Sequence, residues 1–198
     1  PDHQPQVELL RKLRQIPGVK KAFVASGIRY DMIEADSAHG DEYLQELVDH
    51  HVSGQLKIAP EHTEKVVLDK MGKTGHESLL RFKEKFDALS ARAGKKQFLT
   101  YYMIAAHPGC TELDMHRLKR FASQELQISP EQVQIFTPTP STYSTLMYYT
   151  GMDPFTLEPL FVERDQAKRE KQKQVVVEKA AQPGSRRSNL RAAGRRKY

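Results

Sequence analysis

The chain has 198 residues, which suits one domain or one domain with a tail. No apolar run approaches the roughly 18 residues of a membrane helix, so we expect no membrane association. The single cysteine, Cys110, excludes an internal disulfide and any metal or cluster site built from several thiolates of this chain. The chain opens without methionine, so we expect that its natural start has been lost or removed. The sequence shows no secretory signal pattern, and we expect a cytoplasmic location.

The net charge of +6 is distributed unevenly along the chain. Residues 163–198 hold 12 Lys or Arg and 4 Asp or Glu, whereas residues 1–162 hold 19 basic and 21 acidic residues. We therefore expect a nearly neutral body, residues 1–162, and a basic tail, residues 163–198. The tail is low in hydrophobic residues, which predicts disorder, with a charged and solvated helix where it begins.

In the first half of the chain, apolar residues predict a helix, a strand, a helix and a second strand. Val7, Leu10 and Leu13 fall at helical spacing before Pro17 and Gly18, which end that segment. Short apolar runs between turn residues predict buried strands at Lys20–Ser26 and Gln55–Ala59. Between these strands, helical spacing predicts a helix over about residues 41–51.

In the second half of the chain, the sequence again predicts helices that alternate with strands. Leu79, Phe82, Phe86 and Leu89 share one face of a helix predicted over residues 76–93, and another helix is predicted after Thr111. The two remaining strands are predicted at Gln97–Ala106 and Gln132–Phe136.

Strands that alternate with helices predict an α/β fold with a parallel sheet and outer helices. Steps of about 35–40 residues between strands suit either a βα barrel or a doubly wound sheet. A complete eight-stranded barrel needs roughly 250 residues, so four units predict a partial TIM-type barrel.

Ligands of parallel α/β folds bind beyond the carboxyl ends of the strands, which selects four loops here. These are residues 26–31, 60–63, 107–111 and 137–142, each rich in polar side chains and in Gly or Pro. We therefore expect the functional site where these loops meet.

The same loops carry a resemblance to a known family. The segments ASGIRYD (25–31), LKIAPEHT (56–63), MIAAHPGCT (103–111) and STLMYYTG (144–151) resemble the YgiQ family of radical S-adenosylmethionine (SAM) proteins. The resemblance runs from about Asp2 to Pro154 in the same order and at similar spacing.

The resemblance implies a partial TIM-type barrel whose front half carries a Cys-x3-Cys-x2-Cys loop. That loop binds a [4Fe–4S] cluster, and SAM on the cluster is cleaved to a 5′-deoxyadenosyl radical that abstracts hydrogen from a substrate. This chain has no such cysteine motif. It therefore resembles only the back half, which holds SAM, and its implied partner is a missing N-terminal half of the same protein. For this chain alone we expect neither cluster binding nor turnover, and the substrate is unknown.

The resemblance also implies roles for individual residues. Ser26 is expected on the SAM ribose, and Arg29 on the methionine carboxylate. Glu61 and His62 are expected near SAM or substrate, and the turn 107–109 is expected to bring backbone groups to the adenine edge. The candidate cofactor-binding residues are Ser26, Arg29, Glu61, His62, His107, Pro108 and Gly109.

Each assignment has a simpler alternative that the sequence leaves open. The Ser26 hydroxyl can cap the following turn, and Arg29 can pair with Asp31 or Glu34 on the surface. Glu61 and His62 can be a surface or helix-capping pair, and the turn 107–109 can simply end its strand.

Two rival functions also remain open. Glu61, His62, His107 and His116 could gather around Zn²⁺ in a barrel-type metal-dependent hydrolase, although no familiar zinc-site spacing occurs. Alternatively, basic residues of the tail could make non-specific contact with nucleic-acid phosphates, namely Arg186, Arg187, Arg195, Arg196 and Lys197.

Overall fold

The structure, a computed structural model, describes residues 1–177. Eight α-helices, one π-helical turn and three β-strands occur within this range. In chain order they are α1 (Gln4–Gln15), α2 (Tyr30–Ala35), α3 (Gly40–Glu46), the π-helical turn (Leu47–His51), β1 (Gln55–Glu61), α4 (Lys65–Met71), α5 (His76–Arg92), β2 (Phe98–Ala105), α6 (Glu112–Gln124), β3 (Gln132–Ile135), α7 (Tyr143–Thr150) and α8 (Gln166–Val177).

The three strands form one parallel sheet in the order β1-β2-β3. Leu56 pairs with Leu99 across the first interface, and Met103 pairs with Val133 across the second. The α/β fold with parallel strands and outer helices is thus confirmed. The spatial order of the strands follows their chain order, as in a sector of a βα barrel, and shows no reversal of the kind that marks a doubly wound sheet.

One face of the sheet is covered by helices and forms the core. Alternate residues of each strand point to this face, because side chains of a strand alternate between its two sides. The predicted amphipathic helix α5 contributes Phe82 and Phe86, both fully buried. The core includes Leu44, Leu47, Leu56, Ile58, Phe82, Phe86, Leu99, Tyr101, Met103, Met115, Leu118 and Val133.

The opposite face of the sheet is polar and only partly covered. Lys57, Thr100, Tyr102 and Ile104 are half-buried there, and Gln134 is exposed. In a barrel this face lines the interior. Its polar character therefore suits a surface that meets a ligand or another part of a longer protein.

The strand predicted at Lys20–Ser26 is wrong. This segment makes isolated hydrogen bonds to neighbouring chain: Val24 N donates to His51 O, and Ala22 O lies 2.6 Å from His51 Nδ1. An isolated bridge to β1, between Ile28 and Ile58, forms just beyond the end of the segment. Phe23 is 48% exposed, so the apolar run lacks the buried face that would select a regular strand.

The helix that begins beyond the predicted body packs on the body. Gln172, Val175 and Val176 of α8 are buried, and this helix contacts α6 and β3. The prediction of a helix here is confirmed, but its full solvation is wrong because one face joins the core. The predicted basic contacts from Arg186 to Lys197 lie outside the described residues. No helix within residues 1–177 is long and apolar enough to cross a membrane.

Candidate functional site

A cleft of about 420 Å³ lies at the carboxyl edge of the sheet. Its walls come from the ends of all three strands, the loop after β3 and the start of α7. The volume falls within the range of roughly 300–1,000 Å³ that is typical of small-molecule sites. Residues that line it include Glu61, Ile104, His107, Gln134, Phe136 and Ser144.

Glu61 enters the cleft from the end of β1 through an unusual backbone conformation. The register of β1 shifts between Ile58 and Glu61, and Glu61 has a φ of 67°, in the left-handed region. Lys73 holds this end of the strand, because its Nζ donates to Ala59 O at 2.6 Å and lies 3.2 Å from Glu61 Oε1. Such strain in a non-glycine residue costs about 1–3 kcal/mol and is concentrated at functional sites.

Arg29 forms an ion pair with Asp31, which was the simpler alternative to its predicted contact with the methionine carboxylate. Its Nε and Nη2 donate to the two carboxylate oxygens of Asp31 at 2.8 and 2.6 Å. Burial acts to raise the pKa of Asp31, but the hydrogen bonds from Arg29 and the positive charges of Arg29 and Lys73 together outweigh it, and the pKa is lowered. Arg29 remains 50% exposed, and Ser26 is exposed nearby, outside the lining of the cleft.

His107 sits in a sharp turn after β2 and faces α7. Ala106 has a φ of 57° and Gly109 a φ of 87°, so the chain reverses within four residues. The buried ring places Nδ1 2.8 Å from Pro108 O and Nε2 2.8 Å from Ser144 Oγ. Burial lowers the pKa of His107 to about 4, so the ring is neutral near neutral pH.

The two contacts of His107 fix the direction in which the Ser144 hydroxyl hydrogen points. A carbonyl oxygen can only accept, so the proton of the neutral ring is on Nδ1. His107 Nε2 therefore accepts the hydroxyl hydrogen of Ser144, whose lone pairs are then available to donors in the cleft. Ser144 lies in a segment that the resemblance includes, but the sequence did not mark it as a candidate.

His62 and Cys110 form a neutral pair that does not line the cleft. His62 Nδ1 accepts from Glu64 N at 3.0 Å, which places the ring proton on Nε2, 3.5 Å from Cys110 Sγ. Burial lowers the pKa of His62 to about 4 and raises the pKa of Cys110 to about 12. Neither group is charged near neutral pH.

The candidate residues are therefore divided by the structure. Glu61 and His107 line the cleft, whereas His62 and Pro108 are buried behind it. Gly109 donates from its backbone N to Phe161 O at 2.7 Å, which secures the turn rather than the cleft lining. The predicted contacts of the candidate residues with SAM remain predictions.

The residues suggested for a zinc site are not grouped as ligands. His116 is 55% exposed on α6, with Nε2 3.8 Å from Glu112 Oε1. Within residues 1–177, the one group of three or more close ligand-type side chains is Asp2, Asp36 and His39. Its central carboxylate, Asp36, already accepts hydrogen bonds from backbone N–H groups and from the ring of His3, so it holds the chain start against α3.

Curated relatives resemble most of this chain. A UPF0313 protein of Fusobacterium nucleatum is 62% identical over 178 residues, which cover 90% of this chain and 31% of that protein. A UPF0313 protein of Clostridium perfringens is 45% identical over 175 residues (88% and 26%), and one of Thermotoga maritima is 44% identical over 177 residues (89% and 31%). The chain therefore spans about a third or less of the length of these relatives.

A family model also matches the end of the chain. Residues 131–196 match the domain of unknown function DUF3362. Within the described residues, this region includes β3, α7 and α8, and so contributes part of the cleft.

Proposed function

We propose that this chain is the SAM-binding part of a radical SAM enzyme that resembles the YgiQ family. The observation that carries the proposal is the cleft at the carboxyl edge of three sequentially ordered parallel strands. Three of the four segments that carry the family resemblance contribute to its walls. Residues 56–63 contribute Glu61, residues 103–111 contribute Ile104 and His107, and residues 144–151 contribute Ser144. Similarity to much longer UPF0313 proteins agrees with a chain that acts as part of a larger enzyme.

The residues of the cleft suit SAM. Ile104 and Phe136 offer apolar surface for the adenine ring, while Glu61 and the lone pairs of Ser144 accept from hydroxyl and amino groups. We place the methionine carboxylate near the exposed guanidinium of Arg29, beside the end of β1. When bound beside a reduced cluster, SAM would supply a 5′-deoxyadenosyl radical for hydrogen abstraction from a substrate of unknown class.

The residues of this chain do not suit the [4Fe–4S] cluster. Such a cluster requires several cysteine thiolates, and Cys110 is the single cysteine. Its thiol is fully buried among His62, Met115 and Gln172, and its raised pKa opposes thiolate formation. We therefore assign the cluster to a part of the enzyme outside this chain.

The rival functions have less support from the described residues. The proposed zinc ligands are not grouped, because His62 faces Cys110 and both ring nitrogens of His107 are engaged. The nucleic-acid alternative depends on tail residues outside the described range. It is tested separately, by comparing the RNA affinity of the whole chain with that of a chain ending at Val177, which keeps α8 and lacks Arg186 to Lys197.

SAM recognition can be tested without the cluster. Isothermal titration calorimetry and NMR shift mapping with S-adenosylhomocysteine, which lacks the reactive sulfonium, would measure binding to the 198-residue chain. Glu61→Gln and Ser144→Ala each remove one acceptor, and loss of a hydrogen bond worth about 1 kcal/mol weakens binding roughly fivefold.

Matched controls lie at the amino edge of the same sheet. Ser129→Ala and Glu131→Gln alter the same residue types beside a separate cavity there and should leave the affinity unchanged. The absence of any heat or shift up to millimolar ligand would refute the proposal. Equal losses in the cleft variants and the controls would refute it as well.

A further inference from the structure

Gln172 is an unusual residue of α8 because its side-chain amide is almost completely buried. It is 2% exposed, whereas buried glutamines are uncommon unless they have specific partners. Its Oε1 accepts from Ala106 N at 3.0 Å, and its Nε2 donates to Cys110 O at 3.4 Å. Both ends of one amide thus bond to the backbone of the turn that carries His107.

The turn needs such support. Ala106 is buried, and its left-handed φ of 57° is unfavourable for a residue with a Cβ. Without Gln172, its buried N–H would lose its partner, at a cost typical of an unsatisfied backbone donor. This turn directs His107 Nε2 to Ser144 Oγ, so the bond to Ala106 acts on the cleft through His107.

We propose that Gln172 is a positioning residue of the cleft. It holds the Ala106–Cys110 turn so that His107 accepts the Ser144 hydroxyl hydrogen and leaves the Ser144 lone pairs for a ligand. The helix α8, which follows the predicted end of the body, is then part of the site. The effect on SAM rests on the proposed function, whereas the effect on the turn does not.

Cys110 provides a reporter of the turn because it is the single cysteine and is fully buried. Its labelling by a thiol reagent such as Ellman's reagent requires the turn or α8 to open. Gln172→Met preserves most of the side-chain volume and removes both hydrogen bonds to the turn backbone, together with the weak bond from Cys110 Sγ to Gln172 Oε1 at 3.6 Å. Their loss, about 1–3 kcal/mol, should accelerate labelling by roughly 5- to 150-fold.

The matched control is Gln174→Met, two positions along the same helix, where the side chain is exposed. Its labelling rate should stay within about twofold of the wild-type rate. Global stability is measured in parallel by urea denaturation. Acceleration of labelling that merely follows a loss of global stability would overturn the proposal, as would unchanged labelling in Gln172→Met.

A second readout separates positioning from simple stabilisation. Two-bond ¹H–¹⁵N spectra of the imidazole rings should show protonated Nδ1 on His107 in the wild type and in Gln174→Met. In Gln172→Met this tautomer signature should broaden or shift, and the affinity for S-adenosylhomocysteine should fall as in Ser144→Ala. An unchanged His107 signature in Gln172→Met would contradict the role of Gln172.

Two outcomes need separate interpretation. If the wild type binds no S-adenosylhomocysteine, the proposed function fails, while the labelling and ring spectra still decide whether Gln172 positions His107. If Gln172→Met does not fold, Gln172→Leu takes its place, because it is apolar, forms helix well and also removes both bonds to the turn backbone. Labelling of Gln172→Leu at the wild-type rate would then overturn the proposal.

Discussion

Acid should destabilise this protein through its two buried neutral imidazoles, His62 and His107. Burial lowers the pKa of each to about 4, compared with about 6.5 for histidine in an unfolded chain. Above about pH 6.5 each ring is neutral in the folded and the unfolded chain and does not affect stability; as the pH falls from about 6.5 towards about 4, stability is lost because the unfolded chain takes up the proton first. At about pH 5 the expected loss is about 2 kcal/mol for each ring, or about 4 kcal/mol for both.

Urea denaturation followed by circular dichroism between about pH 7 and pH 5 measures this effect. The free energy of unfolding should fall by up to about 2.7 kcal/mol per pH unit, since the unfolded state binds two more protons. His62→Gln should reduce that slope by about half, whatever it does to absolute stability. His116→Gln removes an exposed ring and should leave the slope unchanged. An equal slope in the wild type and His62→Gln would refute the reasoning.

Two further substitutions test local features of the fold by urea denaturation. Glu61→Gly should be more stable than Glu61→Ala, because both lose the contact with Lys73 but only glycine relieves the left-handed strain (about 1–3 kcal/mol), against an added chain entropy of about 0.5–1 kcal/mol. A glycine variant less stable than the alanine variant would contradict strain at this residue. Thr111→Val should cost about 0.5–2 kcal/mol, because Thr111 and Asp114 form the capping box of α6. The exposed Thr74→Val is its control, and equal stability of both variants would argue against the cap.

The elements with a strong local pattern could be predicted from the sequence. β1, β2 and β3 lie where apolar runs end at turn residues, and α5 lies where large apolar residues recur at helical spacing. The three short helices α2, α4 and α7 were not predicted. They have six to eight residues, too few to establish a period, and short helices depend on tertiary packing for their stability.

Part of the site was also predictable. Parallel strands end at one edge, so Glu61 and His107 were expected to approach each other there, and both line the cleft. The direction in which each side chain points beyond the end of a strand could not be predicted from the sequence. His62 directly follows Glu61, yet the left-handed backbone at Glu61 leaves one side chain in the cleft and the other buried against Cys110.

The sequence alone predicted most of the alternation of strands and helices. Burial of one face of an element produces a regular spacing of apolar residues, which is visible within a short stretch of sequence. Tertiary structure decided the contacts that complete the site. The bond from Ser144 to His107 spans 37 residues, and the bond from Ala106 to Gln172 spans 66. Such pairs have no period or spacing in the sequence. They arise because packing brings α7 and α8 against the end of β2, where a buried backbone N–H and a buried ring must find hydrogen-bond partners.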